Sequence, residues 1–163
     1  MPGLLQSEGY ARAVFENRIP LLTNDQLEAQ VAARLVRQKM LYERSTVPFH
    51  FIVEESVLRR RLGGVEVQRR QLDHVLEYTV LRNVTLQIML TDAEFHSCLG
   101  GPLRLLETPQ GRRLAYSEGQ ENGRLITDSK DVSLLYQRYD TLRSQALNLK
   151  DSRGLLERPR GEL

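Results

Sequence analysis

Apolar and polar residues recur along this chain with two different periods, and the periods separate its helices from its strands. Leu27, Val31 and Leu35 return every four residues, so residues 25–44 read as an amphipathic helix. Thr23 stands just ahead, with Gln26 three residues on, the spacing of a capping box. Upstream, behind a turn-like Pro2-Gly3, a short helix is expected from Ser7, with Tyr10 and Val14 on one face. Pro48 ends the long helix. Phe49-His50-Phe51-Ile52-Val53 is aromatic and β-branched, as strands are. Both faces of that run are largely apolar, which places it inside a sheet rather than at an edge. Glu54 to Leu58 turns into a short helix that stops at Gly63-Gly64. A further helix is expected over residues 65–81, with Leu72, Val75, Leu76 and Thr79 on one face. Val84 to Leu90 is a second strand.

A polar loop, residues 91–101, leads to three short strands. Residues 103–108 and 112–117 are joined by Pro109-Gln110-Gly111, and residues 124–127 return from Asn122-Gly123, a strong hairpin signal. Asp128 or Ser129 caps a last long helix with Val132, Leu135, Tyr136, Tyr139 and Leu142 as its buried stripe. Asp151-Ser152 opens a final turn of helix that Pro159 terminates. Helices against a mostly antiparallel sheet with a C-terminal meander make an α+β fold, expected as one domain over residues 1–163.

The 163 residues are 40% hydrophobic and 27% charged, enough apolar side chain for a core and too much for wholesale disorder. A net charge of +2 is far from that of a dedicated nucleic-acid binder. The single cysteine, Cys98, excludes an intrachain disulfide and points to a reducing compartment. No apolar run approaches the roughly 18–20 residues of a membrane span, and no basic-then-apolar leader opens the chain. A cytoplasmic protein with no cofactor and no bound metal is expected.

Candidate chemistry concentrates in a few places. The loop from Thr91 to Cys98 offers Asp92, Glu94, His96 and a thiol. A Cys–His pair supports nucleophilic catalysis when a base and an orienting group converge, and a metal needs three or four ligands at fixed spacing. Neither pattern is complete, so a solvated loop stands against an acid–base or ligand contact by His96. Glu54-Glu55 ends a strand, where a carboxylate has either a raised pKa or the plain role of helix N-terminal charge. Arg59-Arg60-Arg61 and Arg69-Arg70 bracket Gly63-Gly64; such clusters bind phosphate or an acidic partner, or solvate a helix face. His50 and His74 read as structural, Tyr136 and Tyr139 as core. Gly63-Gly64 and Gly100-Gly101 belong to no phosphate-binding motif. Residues 57–62 and 65–81 have the spacing of a helix-turn-helix, but the second carries an apolar stripe between strands and reads as a core helix.

Four segments, in order, carry a family resemblance. Pro2-Gly3-Leu4-Leu5-Gln6 leads to Tyr10-Ala11-Arg12, and Ala33-Arg34-Leu35-Val36-Arg37-Gln38 follows. Glu54-Glu55-Ser56-Val57-Leu58-Arg59 leads to Gly63-Gly64 and Gln71-Leu72, and Asn83-Val84-Thr85-Leu86-Gln87 closes the series. Together they resemble the domain of unknown function found C-terminal to the helix-turn-helix in Xre-type actinobacterial regulators of the WhiJ-like group, which have been likened to antitoxins. The resemblance spans nearly the whole chain. It implies a regulatory domain that senses a ligand or binds a small partner protein, often encoded next door. The chain opens at the Pro-Gly-Leu-Leu-Gln segment, so it is expected to be either part of a longer regulator or a stand-alone version. His96 matches a recurrent histidine of that family. Thr91-Asp92 stands where the family usually has a proline–aromatic or similar apolar pair, which implies a changed ligand.

The expectation is therefore a regulatory domain that binds a small ligand or a small partner protein in a pocket between the sheet and its helices. Glu54, His96 and Tyr116 are the expected polar contacts and Arg59 the contact for an anionic group. No direct nucleic-acid binding and no membrane contact are expected; a homodimer is allowed. The runner-up is a stand-alone enzyme of a specialised-metabolite pathway, using His96 or Glu54 for proton transfer, cyclisation or isomerisation on a bound metabolite.

Overall fold

A computed structural model describes residues 1–119 and 123–158. They form two compact units: residues 1–91 with the chain from Leu147 onward, and residues 92–146.

The first unit begins with a 3-10 turn, Gly3–Leu5, and helix α1, Glu8–Glu16. Ser7 caps α1 by accepting the Tyr10 N–H at 3.4 Å, and Tyr10, Ala11, Ala13 and Phe15 are buried. Helix α2, Asn24–Gln38, carries the expected capping box: Thr23 Oγ1 accepts the Gln26 N–H and Gln26 Oε1 accepts the Thr23 N–H. The helix expected over residues 25–44 is two helices. It breaks at Lys39, and a short α3, Met40–Glu43, follows. The break falls beside Gln38, whose side chain turns inward to backbone carbonyls near the start of the chain.

Strand β1, Phe49–Glu54, is followed by α4, Glu55–Arg59, then α5, Val65–Tyr78, and strand β2, Val84–Met89. The two strands pair in parallel, from Phe49 opposite Val84 to Glu54 opposite Met89. They form a sheet of their own, so β1 is not an inner strand of a larger one. Two helices lie between the strands, and such a crossover is what a parallel pair requires. It also accounts for the apolar character of both β1 faces, since parallel strands are usually covered on both sides. Leu58, Leu72 and Val75 place α4 and α5 in the core, so the helix-turn-helix spacing there belongs to core helices.

The far edge of β2 is closed by the returning chain rather than by a strand. Leu147 N–H donates to Ile88 O at 2.9 Å, and the buried Ser152 Oγ accepts the Ile88 N–H at 3.0 Å. Gln87 Nε2 donates to Leu147 O at 2.9 Å. Ser152 lies on α7, Leu149–Glu157. That helix opens at Leu149, two residues before the expected Asp151, and Asn148 caps it, its Oδ1 accepting the Asp151 N–H at 2.9 Å. Leu5, Leu41, Ile88 and Leu156 complete the core beneath.

The second unit is an antiparallel meander, β3 Leu103–Glu107, β4 Arg113–Ser117 and β5 Arg124–Ile126, with β4 in the middle. Helix α6, Ser129–Gln145, covers one of its faces. Asp128 caps α6 by accepting the N–H groups of Lys130 and Asp131. Ala115 is buried on that face, and the Arg113 guanidinium lies 4.6 Å from the Tyr136 ring centre. Only Val132 of the expected α6 stripe is fully buried; Leu135, Tyr136, Tyr139 and Leu142 are half-buried, because one helix on three short strands covers them only in part. Asn122 of the expected turn, and Pro159, lie outside the described residues. Among the described residues no helix is long and apolar enough to cross a membrane.

Candidate functional site

Three buried glutamines build the entrance of the first unit. Gln71 is 0% exposed; its Nε2 donates to Leu5 O at 2.6 Å and its Oε1 accepts the Ser7 N–H at 2.7 Å. Gln38 donates to Gly3 O and Gln6 O, at 3.0 and 2.6 Å. Gln6 donates to Met1 O and accepts from Arg34 Nη1 at 2.6 Å, while the Arg34 guanidinium lies over the Phe15 ring. Burial pushes the Tyr78 hydroxyl up to about 12, so it stays protonated and donates to Gln38 Oε1. Each glutamine satisfies backbone groups that neither helix nor strand would otherwise pair. Together they fix residues 1–7 and therefore the first turn of α1.

That first turn faces an open groove of about 440 Å³, lined by Ser7, Glu8, Gly9, Arg12, Val67 and Arg70. Ser7 takes the N–H groups of Tyr10 and Ala11. The amides of Glu8 and Gly9 have no acceptor among the described residues. Arg12 is held by both carboxylate oxygens of Glu28 and, at 3.7 Å, by Glu8. Arg70 is the less engaged cation: its side chain is 77% exposed, and its ion pair to Glu66 spans 3.9 Å. Among its lining residues the groove has two cations, Arg12 and Arg70, against one anion, Glu8, and it opens on the positive end of a helix dipole.

The expected site residues divide between the units. Glu54, the exposed last residue of β1, accepts the Ser56 hydroxyl at 3.3 Å. The buried carboxylate at this strand end is its neighbour Glu55, 7% exposed. Glu55 Oε2 accepts the Thr91 N–H at 3.1 Å, and Oε1 takes Arg59 Nε and Nη2 at 3.0 and 2.5 Å. The Thr91 amide, and after it Arg59, hold Glu55 below the usual carboxylate range, the reverse of the raised pKa that burial alone would give. Arg59 is thus engaged by Glu55. In the second unit, His96 Nδ1 accepts the Cys98 N–H at 3.3 Å, which puts the proton of the neutral ring on Nε2. Ser97 pins this loop to α6 through Arg138 O and Gln145 Oε1. Tyr116 is half-buried under the Arg104 guanidinium and lies against Gly123, where a Cβ would overlap its hydroxyl. Among the described residues no three His, Cys, Asp or Glu side chains gather as metal ligands.

Acid should act on this architecture in two steps. His74 Nε2 is buried without a partner among the described residues, and the ring meets Tyr78 edge-on at 4.8 Å. Burial lowers its pKa from the ordinary 6.5. Glu55 is likewise lowered, from 4.5. Both groups bind protons less readily folded than unfolded, so stability is lost as the pH falls, first below 6.5 through His74 and then below 4.5 through Glu55. We expect the urea midpoint to drop between about pH 7 and 5.5, and His74→Phe to flatten that first step. A wild-type midpoint that is constant over this interval would contradict the assignment.

A family model described as Domain of unknown function (DUF5753) matches residues 1–158, and so runs through both units. No curated protein and no solved structure matches the chain.

Proposed function

The chain belongs to the family described as Domain of unknown function (DUF5753), and from that premise we propose that it is the regulatory domain of a WhiJ-like, Xre-type transcription regulator, holding a small anionic ligand in the groove at the start of α1. The observation that carries this reading is the glutamine clamp that delivers the first turn of α1 to an open groove lined by Arg12 and Arg70. The residues behind the resemblance meet there: Gln6, Gln38 and Gln71 form the clamp, and Arg12 lines the groove. The volume suits a small molecule, and this favours a ligand over a partner protein at this place. An anionic group would take the free amides of Glu8 and Gly9 and the Arg70 guanidinium.

Inorganic phosphate is the simplest probe. At fixed ionic strength it should raise the unfolding temperature saturably, and Arg70→Glu should weaken the effect about 10-fold or more, the worth of one charge-assisted contact. No saturable rise, or a rise indifferent to Arg70→Glu, would remove the groove as the site.

A further inference from the structure

The face of the meander turned away from α6 carries a self-complementary pattern. Side chains alternate across a strand, so Arg113, Ala115 and Ser117 of β4 point one way and Leu114 and Tyr116 the other. Arg113 and Ala115 are on the α6 side. Ladder bonds continue one residue beyond each end of β4, from Thr108 N–H to Arg112 O at 2.9 Å and from Glu118 N–H to Pro102 O at 3.4 Å. Arg112 and Glu118 therefore keep the alternation. Read along β4, the outer face is Arg112, Leu114, Tyr116, Glu118: cation, apolar, apolar, anion. The register adds Leu106 opposite Leu114 on β3 and Leu125 opposite Tyr116 on β5, while Arg104, opposite Tyr116 on β3, lies over that ring and pairs with Glu118. Leu106 and Leu125 are 59% and 61% exposed.

We infer that this face docks against the same face of a second copy of the chain. Two sheets stacked about a two-fold axis lying across the strands run their β4 strands antiparallel, so positions equidistant from Ala115 oppose each other. Leu114 then meets Tyr116 of the other copy, and Arg112 meets Glu118, twice per dimer. The charges support this occupant. Glu118 is paired at 2.7 Å with Arg104 of its own chain, while the Arg112 guanidinium has no partner among the described residues. In the dimer each Glu118 lies between two guanidinium groups, its own Arg104 and the other copy's Arg112. The alternative two-fold, along the strands, sets Arg112 against Arg112 and is repulsive. A face of three short strands is smaller than the ~800 Å² per partner of a standard interface, so the association is reversible. It is independent of the ligand groove.

Sedimentation equilibrium of the whole chain over roughly 10–500 μM reads this out. The mass should rise from 18.8 kDa towards twice that value with concentration. Arg112→Glu and Glu118→Arg each place like charges opposite at both ends, and each alone should raise the dimer dissociation constant about 10-fold or more. Both positions are exposed, and circular dichroism checks that the variants fold. Mixed in equal amounts, the two variants regain opposite charges at both ends and should associate again as a heterodimer. A wild-type monomer at every concentration overturns the inference and leaves the face to a different partner. Variants that still self-associate, or a mixture that stays monomeric, overturn it as well.

Discussion

Gln71→Leu should lower the unfolding temperature by about 6–12 °C. The side chain is fully buried and answers two backbone groups at once, Leu5 O and Ser7 N–H. Leucine fills the volume and answers neither. A backbone group left buried without a partner costs about 1–3 kcal/mol. Two such groups, one of them partly reached by water, cost about 3 kcal/mol in all. In a chain of this length each kcal/mol moves the midpoint by roughly 2–4 °C. The same change frees the segment ahead of α1, so the response to phosphate should weaken beyond what lost stability explains. A Gln71→Leu protein with wild-type stability would mean that the segment is held by its apolar contacts, Leu5 above all, and not by the clamp.

Ile88→Ala is expected to be at least as severe, with a loss of about 3–4 kcal/mol in urea unfolding. Ile88 is 0% exposed in the middle of β2, opposite Val53 of β1. Its N–H and C=O bind Ser152 Oγ and Leu147 N–H. The truncation thus opens a cavity at the point where the returning chain is fastened to the strand edge. Leu99→Ala removes a side chain of similar size from an exposed position and should stay within about 0.5 kcal/mol of wild type. The contrast separates burial from hydrophobicity. Equal losses for the two variants would contradict the assignment of core and surface.

Much of the fold was legible because it is local. The four-residue recurrence of Leu27, Val31 and Leu35, the Thr23–Gln26 box, the Asp128 cap and the short connections of the meander are each written within a few residues. The parallel pairing of β1 and β2 was not, because the strands are partners across two helices and nothing near either one names the other. Half of the candidate site was hidden for a different reason. Gln38 and Gln71 look like surface residues in a sequence, and only the fold shows that they answer buried carbonyls. The groove joins residues 7–12 to residues 67–70, segments that no periodicity connects, although Arg12 and Arg70 each stand in a segment with its own signal in the sequence. Arg59 shows a signal that was available. Glu55 stands four residues before it, the spacing of an ion pair on a helix, and that pair engages the charge first expected to face a ligand.

The central claim is that the groove at the start of α1 holds a small anion. Native mass spectrometry of the whole chain, after exposure to a cell extract and desalting, tests it most directly. The account predicts one low-mass anionic adduct per chain, which survives in Arg59→Gln and is lost in Arg70→Glu. A chain that carries no adduct, or one whose adduct persists unchanged in Arg70→Glu, would contradict it.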